Sequence, residues 1–290
     1  MSRNDLELRH ESRQRELSEL ASQRPELGAW LLALRVSLNA LALDAFRGIV
    51  PICSARRAPD APLLHDAIIP VNGSALRAHV HAVLTAALGR QTRPGIDVLD
   101  AAQVLELAIA QDVQALTAIA SEAGVDAHAL NAVAQLAAMP ILIACTRAVA
   151  AQPLQHWSRE YCHVCGALPA LAEVLGLDRA RHLRCARCGA SWKTQVLLCA
   201  FCGERDHARL GSLVPDGQSG QIAWVETCRT CLGYLKTRAA LRAAAAENVL
   251  IEDARTLELD LVATERGYQK PAQGAYPTRV RLTPAVNGVI

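Results

Sequence analysis

The chain has 290 residues and a formal charge of +2. A chain of this length buries about three-quarters of its unfolded surface, so it needs no disulfides to fold, and it has room for about two domains. The near-neutral balance argues against strong attraction to nucleic acid or anionic lipid. Aromatics at 3%, beside abundant alanine and leucine, favour packed helices over a large sheet.

The first 17 residues are charged and amphipathic and carry no apolar core, so they do not read as a secretory signal. The expected location is therefore the reducing cytoplasm, where paired cysteines mean metal or redox chemistry rather than structural disulfides. Residues 1–152 carry helical periodicity. Leu27, Leu31, Leu34, Leu38 and Leu41 recur at three- and four-residue steps and line one helix face, with Pro25 in its first turn. A helix is expected over 79–89. A longer one is expected over 97–122, with Val98, Ala102, Leu105, Ile109, Val113 and Leu116 as its apolar stripe. Gly124 would end it, and Asp126 would cap the next. Residues 127–146 contain no Lys, Arg, Asp or Glu, but His128, Asn131, Gln135 and Pro140 interrupt the run. It reads as a buried helix rather than a membrane span. Cys145 lies in it as a core thiol, and Cys53 follows Pro51 and Ile52 in a turn.

Gln152 and Pro153 end the helical region. Eight of the ten cysteines then form four Cys-x-x-Cys pairs: Cys162/Cys165, Cys185/Cys188, Cys199/Cys202 and Cys228/Cys231. Each such turn presents two sulfurs on one side of a tight bend, and two turns make a tetrahedral cage. Gly166, Gly189 and Gly203 follow three of the pairs directly, and Gly233 follows the fourth one step later. They let backbone amides curl toward the thiolates. The simplest grouping is sequential: Cys162, Cys165, Cys185 and Cys188 in a first site, and Cys199, Cys202, Cys228 and Cys231 in a second. A nested grouping (second pair with third, first with fourth) and an interleaved one are the alternatives. Four thiolates accept zinc or iron and leave no open coordination position, which disfavours hydrolytic catalysis.

Strand-like runs at 190–198 and 221–226 carry Trp192 and Trp224, the apolar filling of small hairpin modules of the zinc-ribbon or rubredoxin kind. Arg179, Arg181, Arg184 and Arg187 read as a solvated basic face. His163 inside the first knuckle could replace a sulfur but is not expected to with four cysteines available; His156, His182 and His207 around the sites read as solvated or supporting donors rather than ligands. After Tyr234 the chain reads helical again, best over 255–267. The alanine-rich run 238–247 has no evident role, and 268–290 reads as an irregular tail. The expected class is α+β: an α-helical domain over 1–152, rubredoxin-like metal modules over 153–194 and 195–237, and a C-terminal helix with irregular tail over 238–290.

No phosphate-binding loop, dinucleotide fingerprint, zinc-protease motif or nucleophile elbow is present, so nothing points to an enzyme. The order Cys-His-Val-Cys-Gly at 162–166, Leu-Arg-Cys-Ala-Arg-Cys-Gly-Ala-Ser-Trp at 183–192, Cys-Ala-Phe-Cys-Gly at 199–203 and Glu-Thr-Cys-Arg-Thr-Cys-Leu-Gly-Tyr-Leu-Lys at 226–236 resembles the formate dehydrogenase accessory protein family, FdhE. The stretch Leu-Glu-Leu-Asp-Leu-Val-Ala-Thr-Glu-Arg-Gly-Tyr at 257–268 is similar to that family's C-terminal helix. The resemblance implies a cytoplasmic maturation factor with two rubredoxin-like modules, iron favoured over zinc at the eight cysteines. It implies binding to the molybdenum-containing catalytic subunit of formate dehydrogenase before export. A rubredoxin-like electron carrier is the alternative function. A nucleic-acid-binding zinc ribbon is a weaker one, because the chain lacks the surplus of Lys and Arg that phosphate contacts need.

Overall fold

The computed structural model describes residues 3–89, 92–150, 157–214, 222–271 and 275–285; Gln152, Pro153, His156 and Gln221 lie outside them. The chain divides into two compact units. One comprises Met1–Ala55, Asp66–Val149 and Pro277–Ile290, the other Arg56–His65 and Ala150–Tyr276.

The first unit is helical: α1 (Arg3–Gln23), α2 (Gly28–Ala40), α3 (Asp44–Arg47), a strand β1 (Ala67–Val71), then α4 (Gly73–Leu88), α5 (Arg93–Asp97), α6 (Ala101–Ala110), α7 (Val113–Glu122) and α8 (Ala127–Val149). A 3-10 turn, Pro25–Leu27, precedes α2, whose Leu31, Leu34 and Leu38 face the core. The helix α4 starts earlier than position 79 because the Asn72 side chain caps it, accepting from the Ala75 amide at 3.0 Å. The single helix expected over 97–122 is broken into α6 and α7. Asp100 caps the first, accepting from the amides of Ala102 and Gln103, and Asp112 caps the second, accepting from Ala115. Between them Gln111 takes the left-handed conformation at φ 61°. Two side-chain caps thus override a continuous apolar stripe, and Val98 and Val113, placed in that stripe, are exposed.

The helix α8 has 23 residues and is long and apolar enough to cross a membrane; 72% of its apolar window is buried within the protein. Pro140 inside it has no N–H and so leaves the carbonyl of Leu136, next to that of Ala137, without its helical donor. Two buried polar side chains meet those carbonyls: Ser37 Oγ donates to Leu136 O at 2.5 Å, and His79 Nε2 to Ala137 O at 3.0 Å. His79 also lies edge-on to Phe46, with ring centroids 5.0 Å apart. Burial pushes the imidazole down from 6.5 to about 4, against the Ala137 hydrogen bond, which raises it. The unfolded chain therefore binds the proton first. Stability from His79 is complete above pH 6.5 and is lost as pH falls toward about 4, by about 3 kcal/mol. Chemical denaturation at pH 7 and pH 4 is expected to show this loss, and His79→Gln is expected to remove that increment of pH dependence.

The second unit is built on a sheet: β2 (Leu171–Leu175), β3 (Ala180–Arg184), β4 (Ser191–Lys193), β5 (Leu210–Leu213), β6 (Ala223–Cys228) and β7 (Tyr234–Ala240), followed by α9 (Val249–Arg255) and α10 (Leu257–Glu265). The strand order is β4-β3-β2-β7-β6-β5. The antiparallel sets β2–β3–β4 and β5–β6–β7 meet where β2 runs parallel to β7, Leu171 opposite Lys236. The residues of the two knuckle-bearing segments thus share one six-stranded sheet. Only Ser191–Lys193 of the run 190–198 forms a strand. The stretch after Tyr234, expected to turn helical, begins instead as the strand Tyr234–Ala240 at the junction. It has backbone partners on both sides, which its weak helix propensity does not offset.

A buried charge cluster fastens the last two helices to β7. Lys236, 2% exposed, donates to Asp253 O at 2.6 Å and pairs with Asp253 and Asp260 carboxylates at 2.8 and 2.6 Å, while Tyr234 Oη donates to Asp260 at 2.8 Å. Of the tail expected to be irregular, residues 275–279 are so, but Val280–Pro284 forms β8, which runs parallel to β1, Ala67 opposite Val280, and the Leu282 amide donates to Glu106 at 2.6 Å.

Candidate metal centres

The first three Cys-x-x-Cys turns have one local construction. Cys162 N donates to Ala167 O and Gly166 N to Cys162 O; Cys185 N donates to Ala190 O and Gly189 N to Cys185 O; Cys199 N donates to Glu204 O and Gly203 N to Cys199 O. Gly166, Gly189 and Gly203 sit at φ 77°, 72° and 72°. The fourth turn differs: Leu232 occupies the left-handed position at φ 56°, at a cost of about 1–2 kcal/mol. Gly233 is required there for another reason, since a Cβ would lie 2.9 Å from Phe201 and 3.0 Å from Cys231 Sγ.

Strand register brings the turns to one end of the sheet. The first leads into β2, the second leaves β3, the fourth joins β6 to β7, and Leu210 of β5 lies opposite Cys228. Within each group, Cys162, Cys165, Cys185, Cys188 and Cys199, Cys202, Cys228, Cys231, the sulfurs all lie within 4.8 Å of one another. Cys162 Sγ is 3.5 Å from Cys188 Sγ and Cys165 Sγ 3.5 Å from Cys185 Sγ; the pairs Cys199–Cys231 and Cys202–Cys228 are each at 3.7 Å. None is a disulfide. A metal–sulfur bond of about 2.3 Å puts tetrahedral sulfurs about 3.8 Å apart, so both groups fit one four-coordinate ion. Amides of Val164 and Gly233 point at Cys162 and Cys231 sulfurs, each at 3.4 Å.

The electrostatics favour a cation. In the first group burial pushes the Cys162 and Cys188 thiols well up, whereas hydrogen bonds from Cys162, Cys185 and Cys188 hold Cys165 well down. In the second, burial pushes Cys231 up to about 11. Several thiolates this close need a bound positive ion to be charged together.

The two groups differ in cover. All four sulfurs of the first belong to cysteines with 0% exposure. Three chain segments close it. Leu63 N and Leu64 N donate to His163 O and Val164 O at 2.7 and 3.0 Å, Tyr276 N donates to Gly166 O at 2.8 Å, and Ala246 packs against Gly189 where no Cβ could fit. That contact gives the alanine-rich run its role. In the second group Cys202 is exposed and Cys231 half-buried.

His163 is buried with its ring edge-on between Trp157 and Trp192, centroids 6.2 and 6.1 Å away, and burial pushes it down to about 4. His182 Nδ1 lies 3.3 Å from Ser191 Oγ, and His207 is 85% exposed. The basic face is overturned in part. Arg181 and Arg184 are 1% and 2% exposed. Arg181 clasps Glu226 and Gln195 O, and Arg184 pairs with Glu173. Glu173, absent from the sequence reading, is fully buried. It also pairs with Arg238 at 3.3 Å and accepts from the Ala244 amide at 3.0 Å. Its only sequence signal is an acid in a strand, and its partners come from cross-strand register, which the sequence does not display.

A helical unit accompanied by a sheet whose one end carries two four-cysteine cages defines a mixed helix–sheet protein with two candidate tetrathiolate centres. Residues 197–276 match the family described as FdhE, C-terminal domain. The "Protein FdhE homolog" of Aquifex aeolicus is 30% identical over 121 residues, 40% of this chain and 41% of that one; the homolog of Stutzerimonas stutzeri is 36% identical over 115 residues, 38% of this chain and 36% of that one. The matches therefore span about two-fifths of those relatives. The crystal structure of the FdhE protein from Pseudomonas aeruginosa shares the fold, with a TM-score of 0.59, 21% identity, and 90% and 93% of the two chains covered. The C-terminal part of the chain, residues 197–276, is thus similar to the C-terminal domain of FdhE proteins, and the fold is that of the Pseudomonas aeruginosa FdhE structure.

Proposed function

We propose that the protein is an accessory factor for formate dehydrogenase, acting in the cytoplasm by binding the enzyme's molybdenum-containing catalytic subunit. The similarity of residues 197–276 to the FdhE C-terminal domain, and of the fold to an FdhE structure, supports the accessory role. The observation that carries the docking reading is the construction of the two cages. Cys162, Cys165, Cys185 and Cys188 would hold one ion, and Cys199, Cys202, Cys228 and Cys231 the other, each with protein sulfur at every position. Such a site gives a substrate no vacant coordination position. Its effect is to stiffen the ends of β-strands into a surface that a partner meets without rearrangement. Iron in this cage would add electron-transfer chemistry; zinc would be an inert brace.

The test is capture of the purified catalytic subunit by the immobilised full-length protein. Cys228→Ser together with Cys231→Ser is expected to reduce capture at least tenfold. Undiminished capture by a protein that has lost the second ion would contradict the reading.

A further inference from the structure

The chain supplies backbone donors to the carbonyls of one knuckle, and among the described residues it supplies none to the matching carbonyls of another; that difference names a ligand. In the first knuckle, Cys162-His163-Val164-Cys165, the carbonyls of His163 and Val164 accept from the consecutive amides of Leu63 and Leu64. Those two leucines are 7% and 0% exposed and belong to an apolar turn with Ala61 and Pro62, closed by the His65 amide donating to Pro62 O at 3.0 Å. In the third knuckle, Cys199-Ala200-Phe201-Cys202, the equivalent residues are Ala200 and Phe201. Among the described residues no backbone amide donates to either carbonyl.

The surroundings of this second face are apolar and open. Val196, Leu197 and Leu232 are 63%, 59% and 50% exposed. Beside them is a cleft of about 380 Å³ lined by Leu198, Ala200, Phe201, Leu210, Trp224 and Leu235 among others. Leu232 is held there in a left-handed conformation, where glycine stands in the other three turns. Large apolar side chains kept exposed beside a groove mark an interaction site. The cleft is also lined by Arg179, Arg181, His207 and Glu226, but Arg181 and Glu226 pair with each other, and beside it Asp206 and Arg209 interact, so the lining stays mainly apolar.

We propose that the third knuckle is the docking site for an apolar turn segment of the protein partner. Two successive amides of that segment donate to Ala200 O and Phe201 O, as Leu63 and Leu64 do at the first knuckle. Its side chains enter the cleft and cover Leu197, Leu232 and the exposed Cys202. The first module, on this reading, is a copy whose ligand is part of the same chain. The proposal rests on the accessory reading, since it locates the surface where the catalytic subunit binds.

The experiment uses the full-length, metal-loaded protein with Leu197→Asp and Leu232→Asp, both at exposed positions, and Leu241→Asp as a control. Leu241 is 79% exposed and follows β7 at the end of the sheet away from the knuckles. Two ions per chain and an unchanged circular dichroism spectrum establish that the variants fold. The expected result is a Kd for purified catalytic subunit at least tenfold weaker for the first two variants and unchanged for the control. In the unsubstituted protein, the partner is expected to slow alkylation of Cys202. Normal affinity of both variants, or Cys202 alkylation at the same rate with and without partner, overturns the site while leaving the accessory function standing. If the unsubstituted protein does not bind the catalytic subunit, both fall. If the substitutions instead abolish self-association of the chain while affinity for the subunit is kept, the occupant is a second copy and the proposal is wrong.

Discussion

Cys185→Ser is expected to unfold the sheet unit, whereas Cys202→Ser loses one ion and keeps the sheet. The contrast follows from burial. Cys185 and its three companions have 0% exposure, while Cys202 faces solvent. Serine at 185 puts a weaker hydroxyl donor into a dry cage and leaves three sulfurs without a complete tetrahedron. Structural four-thiolate ions contribute about 10–16 kcal/mol of apparent binding energy to folding, comparable with or above the whole net stability of a domain, about 5–15 kcal/mol. The first cage also holds together what is stacked on it: the Leu63–Leu64 backbone, Tyr276, Ala246 and the His163–Trp192 contact. At position 202 water can replace the lost sulfur at little desolvation cost. Metal analysis should therefore find less than one ion per chain in Cys185→Ser, with the near-ultraviolet tryptophan signal and amide protection across β2, β3 and β7 lost. Cys202→Ser should retain one ion and most of that protection. Native protection in Cys185→Ser would mean that the first ion does not organise the sheet.

The unequal legibility of this molecule has physical causes. The cysteine turns are local: a residue pair, followed in three of the four by a glycine, sets the bend, so the eight candidate positions can be named from spacing alone. The strands are not local. Tyr234–Ala240 contains lysine, arginine and two alanines and would pass for helix, yet it takes the junction position because β2 and β6 supply hydrogen bonds on either side. The split of 97–122 is partly visible, since Asp100 and Asp112 are caps by residue type, but the apolar stripe running through them masks the break. The partners of Pro140 in α8 cannot be read at all, because Ser37 and His79 lie 99 and 58 residues from the carbonyls they meet. Nor can the cover of the first site. The alanines near 246 have no apparent use in the sequence, and only the packing of Ala246 against Gly189, where a Cβ on the glycine could not fit, shows one. Composition also misplaces Arg181 and Arg184, because arginine defaults to solvent unless an opposite charge is buried beside it, and Glu226 and Glu173 are distant in sequence.

Glu173→Ala is expected to destabilise the sheet unit by about 3–5 kcal/mol, the range for breaking a buried ion pair from one side. Glu173 has 0% exposure, and its carboxylate meets the Arg184 and Arg238 guanidiniums and the Ala244 amide. Removing it leaves Arg184, 2% exposed, as an uncompensated buried cation, although its hydrogen bonds to Gly189 O and Ala244 O remain. An exposed pair such as Arg47–Asp44, at 57% and 98% exposure, sets the scale: Asp44→Ala should change the unfolding free energy by less than about 0.5 kcal/mol. Glu173→Gln should fall between, because the amide can still accept from Ala244 N but carries no charge. Converting both partners, as in Glu173→Leu with Arg184→Met, should recover part of the loss, since the cost lies in the orphaned charge and not in the missing pair. Urea denaturation of the metal-loaded protein measures all four, with an unchanged slope required for the comparison. The same substitution should reach the metal. Arg184 connects Glu173 to Gly189 and Ala244, so Glu173→Ala should loosen the second knuckle and the run that covers it. Release of the first ion to a chelator should then accelerate, while release of the second is unchanged. If Glu173→Ala instead unfolds within about 1 kcal/mol of the unsubstituted protein (about a fivefold change in the unfolding equilibrium), then the buried pair is not what holds the second knuckle against the sheet.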